Sequence, residues 1–213
     1  MCGRYSFAPD LKIVNEHYNI KVNDGDFSLN TNCSPTQLLP VLTNDLPQQL
    51  SFFRWGLIPF WAKDISIGSK LINARAETIQ EKPSFKQSFK RHRCLIPADA
   101  FYEWKNNDTG KKKTPYRIFL KNQPIFSMAG LWDLWKSPAG EIIYSFSIIT
   151  TSPNEMMTEI HNRMPVILSK EMEKFWLEAS NENDLVELFK PFPANEMDNY
   201  PVLDLRKAAG ARP

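Results

Sequence analysis

Four runs of strand-type sequence decide the expected fold: CLIPADAFYEW at residues 94–104, YRIFL at 116–120, IFSMAGLWDL at 125–134 and IIYSFSIITT at 142–151. Aromatic and β-branched residues dominate these runs, as they do in β-strands. Turn-forming sequence separates them, including a hairpin tip that we predict at 106–113 with Asp108-Thr109-Gly110 in its turn. Strands that follow one another through short turns pair antiparallel, so this part of the chain predicts an antiparallel sheet.

The rest of the chain adds strands and short helices to that sheet. Before it we predict a short strand or arm at 2–7, a helix opening at Pro9-Asp10, loops at 21–37 and 56–70, strands at 38–42 and 49–55, and a helix at 83–90. After it we predict a helix at 153–160, a last core strand at 165–168, a capped helix from Ser169 and a helix near 184–189. Strands and helices do not alternate in the βαβ manner. The predicted fold class is therefore α+β, a single domain built on a curled antiparallel β-sheet or barrel with flanking helices.

Composition limits the classes of protein to consider. The chain has 213 residues, of which 42% are hydrophobic and 23% charged, values typical of one globular domain. No apolar run approaches the roughly 20 residues of a membrane span, and the start lacks the layout of a signal peptide. We therefore expect a cytoplasmic protein with no membrane partner. Three cysteines without a C-x-x-C pair argue against a disulfide framework and against a zinc knuckle, so we expect neither metal nor cofactor.

The first residues carry unusual chemistry. Cys2 follows Met1, and a side chain this small permits removal of the methionine. The exposed residue would carry an α-amine, with a reference pKa of about 7.7–8.0, beside a thiol of about 8.5. An amine forms Schiff bases with carbonyls and a thiolate is a strong nucleophile. Together they can capture an aldehyde first as an imine and then as a five-membered thiazolidine, which an internal cysteine cannot do.

Three further polar residues stand in apolar or tightly punctuated settings. Asn73 lies between Ile72 and Ala74, Glu103 lies between two aromatic residues at a strand end, and His161 follows a predicted helix. An acid among aromatic rings is expected to have a raised pKa, and histidine is the usual proton shuttle near neutrality. Each also has a structural explanation, such as a hydrogen-bonded histidine or a carboxylate that pairs with an arginine. Spacing alone does not assemble them into one site.

Arginines and tryptophans suggest a partner. The net charge of +2 decides nothing, but arginines at 4, 54, 75, 91, 93 and 163 accompany six tryptophans. Guanidinium groups near exposed rings suit phosphates and unstacked bases, although both residue types are also common on ordinary surfaces and in cores.

Six ordered motifs resemble those of the SOS response-associated peptidase (SRAP) family. They are MCGRY at 1–5, N-x-x-P at 32–35, RWGLIP at 54–59, INAR-x-ET at 72–78, A-x-x-FYEW at 98–104 and H-x-RMP at 161–165. The resemblance runs from residue 2 to about 168, and helices of the expected kind follow. It implies a mixed fold around a curled antiparallel sheet.

The resemblance also implies a function, namely binding of single-stranded DNA at abasic sites. In this family the N-terminal cysteine becomes linked to the open-chain aldehyde of the abasic sugar through a stable thiazolidine. Carried over by position, Cys2 would be the nucleophile and Asn73 would hold the N-terminus and sugar. Glu103 would assist proton transfer, and His161 would promote ring opening and imine chemistry. The residues expected to contact or support DNA are Arg4, Asn32, Pro35, Trp61, Arg75, Trp104, Thr150 and Arg163.

Two features depart from the family pattern. The family commonly ends in a strand that runs from Pro-Val into Val-Asn, whereas this chain keeps Pro201-Val202 and then differs. We therefore place the domain at 1–205 within a single 1–213 unit and assign no function to the divergent tail at 206–213. Some members carry paired tryptophans where this chain has Trp61-Ala62, which predicts a smaller DNA platform.

Two other functions remain open at this point. One is a thiol peptidase with Cys2 as an N-terminal nucleophile and Glu103 or His161 as base. The other is a binding module for damaged DNA in which Cys2 takes no chemical part. The partner expected from the resemblance is single-stranded DNA that contains abasic sites. No membrane partner is expected, and the protein is expected to act as a monomer.

Overall fold

A computed structural model describes residues 2–23, 25, 28–106, 113–203 and 205, which form thirteen strands and five α-helices. The strands are β1 (Arg4–Phe7), β2 (Asn30–Cys33), β3 (Leu38–Thr43), β4 (Ser51–Trp55), β5 (Asn73–Arg75), β6 (Arg93–Ala98), β7 (Ala100–Asn106), β8 (Lys113–Leu120), β9 (Phe126–Lys136), β10 (Ile142–Thr151), β11 (Met164–Pro165), β12 (Ile167–Leu168) and β13 (Met197–Pro201). The α-helices are α1 (Leu11–Tyr18), α2 (Pro83–Arg91), α3 (Glu155–Thr158), α4 (Lys170–Glu178) and α5 (Glu182–Val186). Short 3-10 helices occur at Ile65–Lys70, Ala76–Thr78 and Ala194–Glu196.

Five strands of the larger sheet close into a barrel. Its order is β10-β4-β3-β6-β9, and β9 pairs back with β10. The β4–β10 contact is parallel and the other four are antiparallel. A barrel this narrow is filled by side chains, and here the fully buried rings of Trp55 and Phe146 stack with their centroids 6.2 Å apart.

A second, antiparallel sheet brings the start of the chain to the barrel. Its order is β13-β8-β7-β1-β2. Only Asp99 separates β6 of the barrel from β7 of this sheet. Its carboxylate accepts hydrogen bonds from the Ser6 hydroxyl and the Ala8 backbone N–H, both at 2.8 Å, and pairs with the buried Arg117. Asp99 therefore fixes β1 at the junction of the two sheets.

Strands β5 and β11, which carry or adjoin residues of the site, both pair with the C-terminal end of β10. Past its barrel neighbours, β10 pairs in parallel with β5, with Ile148 opposite Asn73 and Thr150 opposite Arg75. On its other edge Thr150 lies opposite Pro165 of β11. Residues that are far apart in sequence thus meet around one strand end.

Helices α2 and α4 pack on β6 and β9, and one buried arginine holds their ends. The Arg93 guanidinium donates to the carbonyls of Trp176, Leu177 and Ala179 beside the end of α4, at 2.7, 3.3 and 2.5 Å. It also donates to two carbonyls near the end of α2, each at 3.1 Å. A cation at helix C-termini satisfies carbonyls that lack partners within the helix.

The α+β class and the curled sheet with flanking helices are confirmed. Several local predictions are wrong. The predicted loop at 21–37 contains β2, whose polar sequence NTNC hides it from a pattern search. The predicted strand at 94–104 is two strands in different sheets, since the chain changes sheet at Asp99.

Other differences concern the later part of the chain. The predicted strand at 165–168 is split between β11, which pairs with β10, and β12, which pairs with β9. It is followed by β13, which lies at the edge of the other sheet. Two pairings of β10 are parallel, although the sequence predicts antiparallel pairing throughout. The predicted turn at 108–110 lies outside the described residues.

Within the described ranges, no helix has the length and apolarity needed to cross a membrane.

Candidate functional site

Cys2, two residues before β1, is held at the junction of the two sheets. Cys2 is fully buried, and its thiol lies 3.8 Å from the Arg4 carbonyl oxygen. The Asn73 side-chain amide donates to the Cys2 carbonyl oxygen at 2.9 Å. Because Asn73 opens β5, which is registered against β10, this hydrogen bond fixes the N-terminal arm to the barrel.

Glu103 and His161 complete the centre of the site. Glu103 lies on β7, the strand next to β1, and is only 3% exposed. Its Oε2 atom is 3.8 Å from His161 Nε2. The His161 Nδ1 atom lies 3.2 Å from the Arg163 carbonyl oxygen and 3.1 Å from the Arg163 backbone nitrogen, so each neutral tautomer has a partner there. The tautomer with its proton on Nδ1 donates to that carbonyl and leaves the Nε2 lone pair on the side of Glu103.

Burial sets the protonation of these groups. Burial raises the pKa of Glu103 to about 7. Burial, and then the nearby charge of Glu103, raise the pKa of the Cys2 thiol well above its usual range. Burial lowers the pKa of His161. Near neutrality the site therefore holds a protonated thiol, a neutral imidazole and a carboxyl group that can either take or give a proton.

Arg163 lies at the edge of the group formed by Cys2, Glu103 and His161, and its side chain is held by hydrogen bonds. Its guanidinium makes two hydrogen bonds to the Glu77 carboxylate, at 2.5 and 2.9 Å, and one to the Thr150 carbonyl at 2.5 Å. Thr150 is fully buried, so in this arrangement it positions Arg163 and has no surface of its own to offer a ligand. Arg75 lies opposite Thr150 in the ladder and is exposed.

The loop that follows β2 forms another side of the site. Arg4 donates to the Asn32 side chain at 2.8 Å, so two of the predicted DNA contacts bind each other. Pro35 is half-buried and precedes Thr36, whose φ of 75° is uncommon for a β-branched residue. Two hydrogen bonds keep Thr36 there. Its backbone N–H donates to the Trp55 carbonyl at 2.8 Å, and the Thr36 carbonyl accepts from the Arg54 guanidinium at 3.1 Å.

The two predicted tryptophans lie apart from each other. Trp104 follows Glu103 on β7, is half-buried and packs beside Tyr102 and Val202. Trp61 is 46% exposed and belongs to a separate turn. That turn is anchored on β9, where the backbone N–H of Phe60 donates to Asp133 at 3.0 Å and Trp135 donates to the Ala62 carbonyl at 2.7 Å. The structure therefore gathers the four central residues with the arginines but does not bring Trp61 to them.

Sequence reasoning missed two supporting residues. Glu77 holds Arg163, and Asp99 holds β1. Asp99 had a visible signal, since it is the one charged residue in the apolar run 94–102. Glu77 lies within a quoted motif, but nothing in the sequence pairs it with a residue 86 positions away.

The site offers no cluster for a metal. Among the described residues, no group of three or more histidine, cysteine, aspartate or glutamate side chains is arranged to hold an ion. All three cysteines are buried and none forms a disulfide.

Comparison with known proteins identifies relatives over nearly the whole chain. The family model described as SOS response associated peptidase (SRAP) matches residues 1–205. Abasic site processing protein YoqW of Bacillus subtilis is 45% identical over 210 residues, which cover 96% of this chain and 93% of that protein. Abasic site processing protein HMCES of Rattus norvegicus is 33% identical, with 80% of this chain and 59% of the relative covered.

A solved structure supports the same relationship. The crystal structure of a protein from Bacteroides thetaiotaomicron superimposes with a TM-score of 0.82 at 35% identity, covering 94% of this chain and 92% of that one.

Proposed function

The chain belongs to the SRAP family, and from that premise we propose that it processes abasic sites in single-stranded DNA by linking Cys2 covalently to the aldehyde of the lesion. Removal of Met1 would free the Cys2 amine. The product would be a thiazolidine that shields the lesion from further reaction.

The placement of Cys2 carries this proposal. Its carbonyl is held by Asn73 at 2.9 Å, and Glu103 is near enough for its charge to act on the thiol. Cys2 would present an amine and a thiol beside a buried carboxyl group whose pKa is about 7. This combination is typical of a reactive site that captures an aldehyde, and packing alone would not require it.

Ring opening would come first. The abasic sugar rests mostly as a closed hemiacetal, and its C1′ hydroxyl must lose a proton while O4′ gains one. His161 can take the first proton, since burial lowers its pKa and keeps the ring neutral. The result is the free aldehyde at C1′.

Two bond-forming steps would follow. The Cys2 amine attacks C1′, and the carbinolamine loses water to give an imine. The Cys2 sulfur then adds to the same carbon, its proton passes through Glu103 to the nitrogen, and the thiazolidine closes. One water molecule is lost overall and nothing is oxidised or reduced. A thiol with a raised pKa needs such a proton acceptor at the moment of attack, and ionised Glu103 provides it.

Exposed and half-exposed cations would hold the DNA strand. Arg4 with Asn32 and the exposed Arg75 lie beside the central residues, and guanidinium groups bind phosphates in bidentate fashion. Arg163, held by Glu77 and Thr150, would contact the strand with the donors that these two bonds leave over. The strained loop at Pro35-Thr36 would wedge against neighbouring bases, and Trp104 would support them. Trp61 would act farther along the strand.

The test compares wild-type protein with Cys2→Ser on an oligonucleotide that carries one abasic site. We expect a covalent adduct on a denaturing gel for the wild type, and for Cys2→Ser normal binding on a native gel without a heat-stable adduct. Cys94→Ala is the matched control, because Cys94 is equally buried but lies in β6, and it should crosslink normally. A stable adduct from Cys2→Ser would refute the proposal.

A peptidase function suggested by the family description makes a different prediction. It requires turnover of peptides without DNA and a thiolate nucleophile. The raised pKa of Cys2 disfavours a resting thiolate, so we expect no peptide hydrolysis by the processed protein. A binding module without chemistry would give neither adduct nor hydrolysis.

A further inference from the structure

The end of the barrel remote from Cys2 opens into an aromatic cavity. Its volume is about 500 Å³, and its lining includes Phe53, His92, Trp132 and Tyr144. Tyr144 lies six positions before Thr150 on β10, which places this cavity roughly 20 Å along the strand from the Arg163 end of the site. The mouths of β-barrels are common ligand sites.

Side-chain alternation explains why rings collect here. Phe53 and Trp55 are two apart on β4, and Tyr144 and Phe146 are two apart on β10, so each pair faces the barrel interior. The inner pair, Trp55 and Phe146, fills the barrel, and the outer pair is left at its mouth.

The rings form one continuous floor. Phe53 and Tyr144 stack with centroids 5.0 Å apart, and His92 stacks on Trp132 at 4.3 Å. Phe53 meets Trp132 at 5.7 Å, which joins the two stacks. Phe53 and Trp132 are buried, whereas Tyr144 keeps 42% of its surface exposed. Because the rings already touch one another, they form a surface on which a flat ligand can stack. An aromatic cage for an ammonium ion would instead need rings arranged around an open centre.

Polar groups at the rim are suited to the edge of a heterocycle. Thr43, Asp45 and Ser51 line the cavity. The His92 Nδ1 atom is buried and makes no hydrogen bond within the described part of the chain, and Asp133 Oδ1 is 3.7 Å from it. Neither arginine nor lysine occurs among the described residues of the lining, so the cavity has acceptors for amino groups but no cation for a phosphate.

We propose that this cavity is a binding site for a neutral, amino-bearing nucleobase or nucleoside, separate from the Cys2 site. The ligand stacks on Tyr144 and the floor beneath it, and its exocyclic amine donates to Asp45. The Asp45 carboxylate makes a phosphorylated ligand bind less well than its nucleoside.

The test is isothermal titration of the full chain with adenosine, cytidine, 5′-AMP, tetramethylammonium and a short single-stranded oligonucleotide without a lesion. We expect both nucleosides to bind and 5′-AMP to bind more weakly than adenosine. Tyr144→Ala should weaken adenosine binding about tenfold, since base stacking on a ring contributes about 1–3 kcal/mol. Tyr144→Phe should bind as the wild type does. Phe175→Ala removes an exposed ring from α4, outside the lining, and should change nothing.

Several outcomes would overturn the proposal. They are no heat at millimolar nucleoside, tighter binding of 5′-AMP or of tetramethylammonium than of adenosine, or binding that survives Tyr144→Ala. Binding only of a single-stranded oligonucleotide would equally overturn it, because the cavity would then serve the DNA strand. Tyr144→Ala should still crosslink abasic DNA, so failure here is distinguishable from failure of the proposed function.

Discussion

Replacing Glu103 by glutamine should separate the two bond-forming steps. The carboxyl group is 3% exposed and burial raises its pKa to about 7. It is therefore about one-tenth ionised at pH 6 and about nine-tenths ionised at pH 8. If ionised Glu103 takes the thiol proton, the rate of ring closure in the wild type should rise about tenfold over this range. Glutamine keeps the size of the side chain but cannot accept that proton.

The magnitude follows from the loss of general-base catalysis, which contributes about 10²- to 10⁴-fold. Formation of the heat-stable adduct should slow by at least about 100-fold and lose its rise near pH 7. Imine formation does not need this base, so borohydride should still trap an adduct of Glu103→Gln.

The assay is single-turnover crosslinking, quenched in denaturant with and without borohydride. Glu81→Gln, at an exposed position, is the matched control and should match the wild type. A Glu103→Gln rate within about threefold of the wild type, with the pH profile unchanged, would refute the role of Glu103 as proton acceptor.

Two further variants test how Cys2 and strand β1 are held. Asn73→Ala removes the 2.9 Å hydrogen bond to the Cys2 carbonyl. Because such a bond contributes about 0.5–1.5 kcal/mol, single-turnover crosslinking should slow about 2- to 13-fold, while DNA binding on a native gel is kept. An unchanged rate would show that Asn73 does not position Cys2. Asp99→Asn breaks a mostly buried ion pair with Arg117, which should lower the free energy of unfolding in urea by about 3–5 kcal/mol. The control Asp198→Asn, at an exposed position, should have little effect. Equal stability of the two variants would contradict the anchoring of β1 by Asp99.

Much of the fold could be predicted because its strands are locally patterned. The apolar runs at 116–120, 125–134 and 142–151 each fall within one strand or extend it by a single residue, and these strands build the sheets. The helix opening at Pro9-Asp10 was also readable, since Asp10 accepts the backbone N–H of Lys12 at 2.7 Å as an N-cap.

Contacts between segments that are distant in sequence could not be predicted from these local patterns. Strand β2 is polar because it lies at a sheet edge beside β1, so it lacks the apolar alternation of a core strand. The parallel contacts of β10 depend on long connections whose geometry no short segment encodes. Asp99 marks the change of sheet only once its bonds to Ser6 and Ala8 are known.

In the candidate site, too, the local features could be predicted and the contacts between distant segments could not. Local chemistry singled out Cys2, Asn73, Glu103 and His161, and only the family resemblance suggested that they act together. The structure gathers them because β1, β5 and β7 and the segment before β11 converge at the end of β10. Glu77 was missed because its partner comes from that distant segment.

Intact-mass spectrometry after incubation with an oligonucleotide bearing one abasic site tests the central claim most directly. We predict that the purified protein lacks the mass of Met1, and that it gains the mass of the oligonucleotide less one water in a species that survives denaturation and heat. A protein without Met1 that forms no such adduct would contradict covalent capture by Cys2.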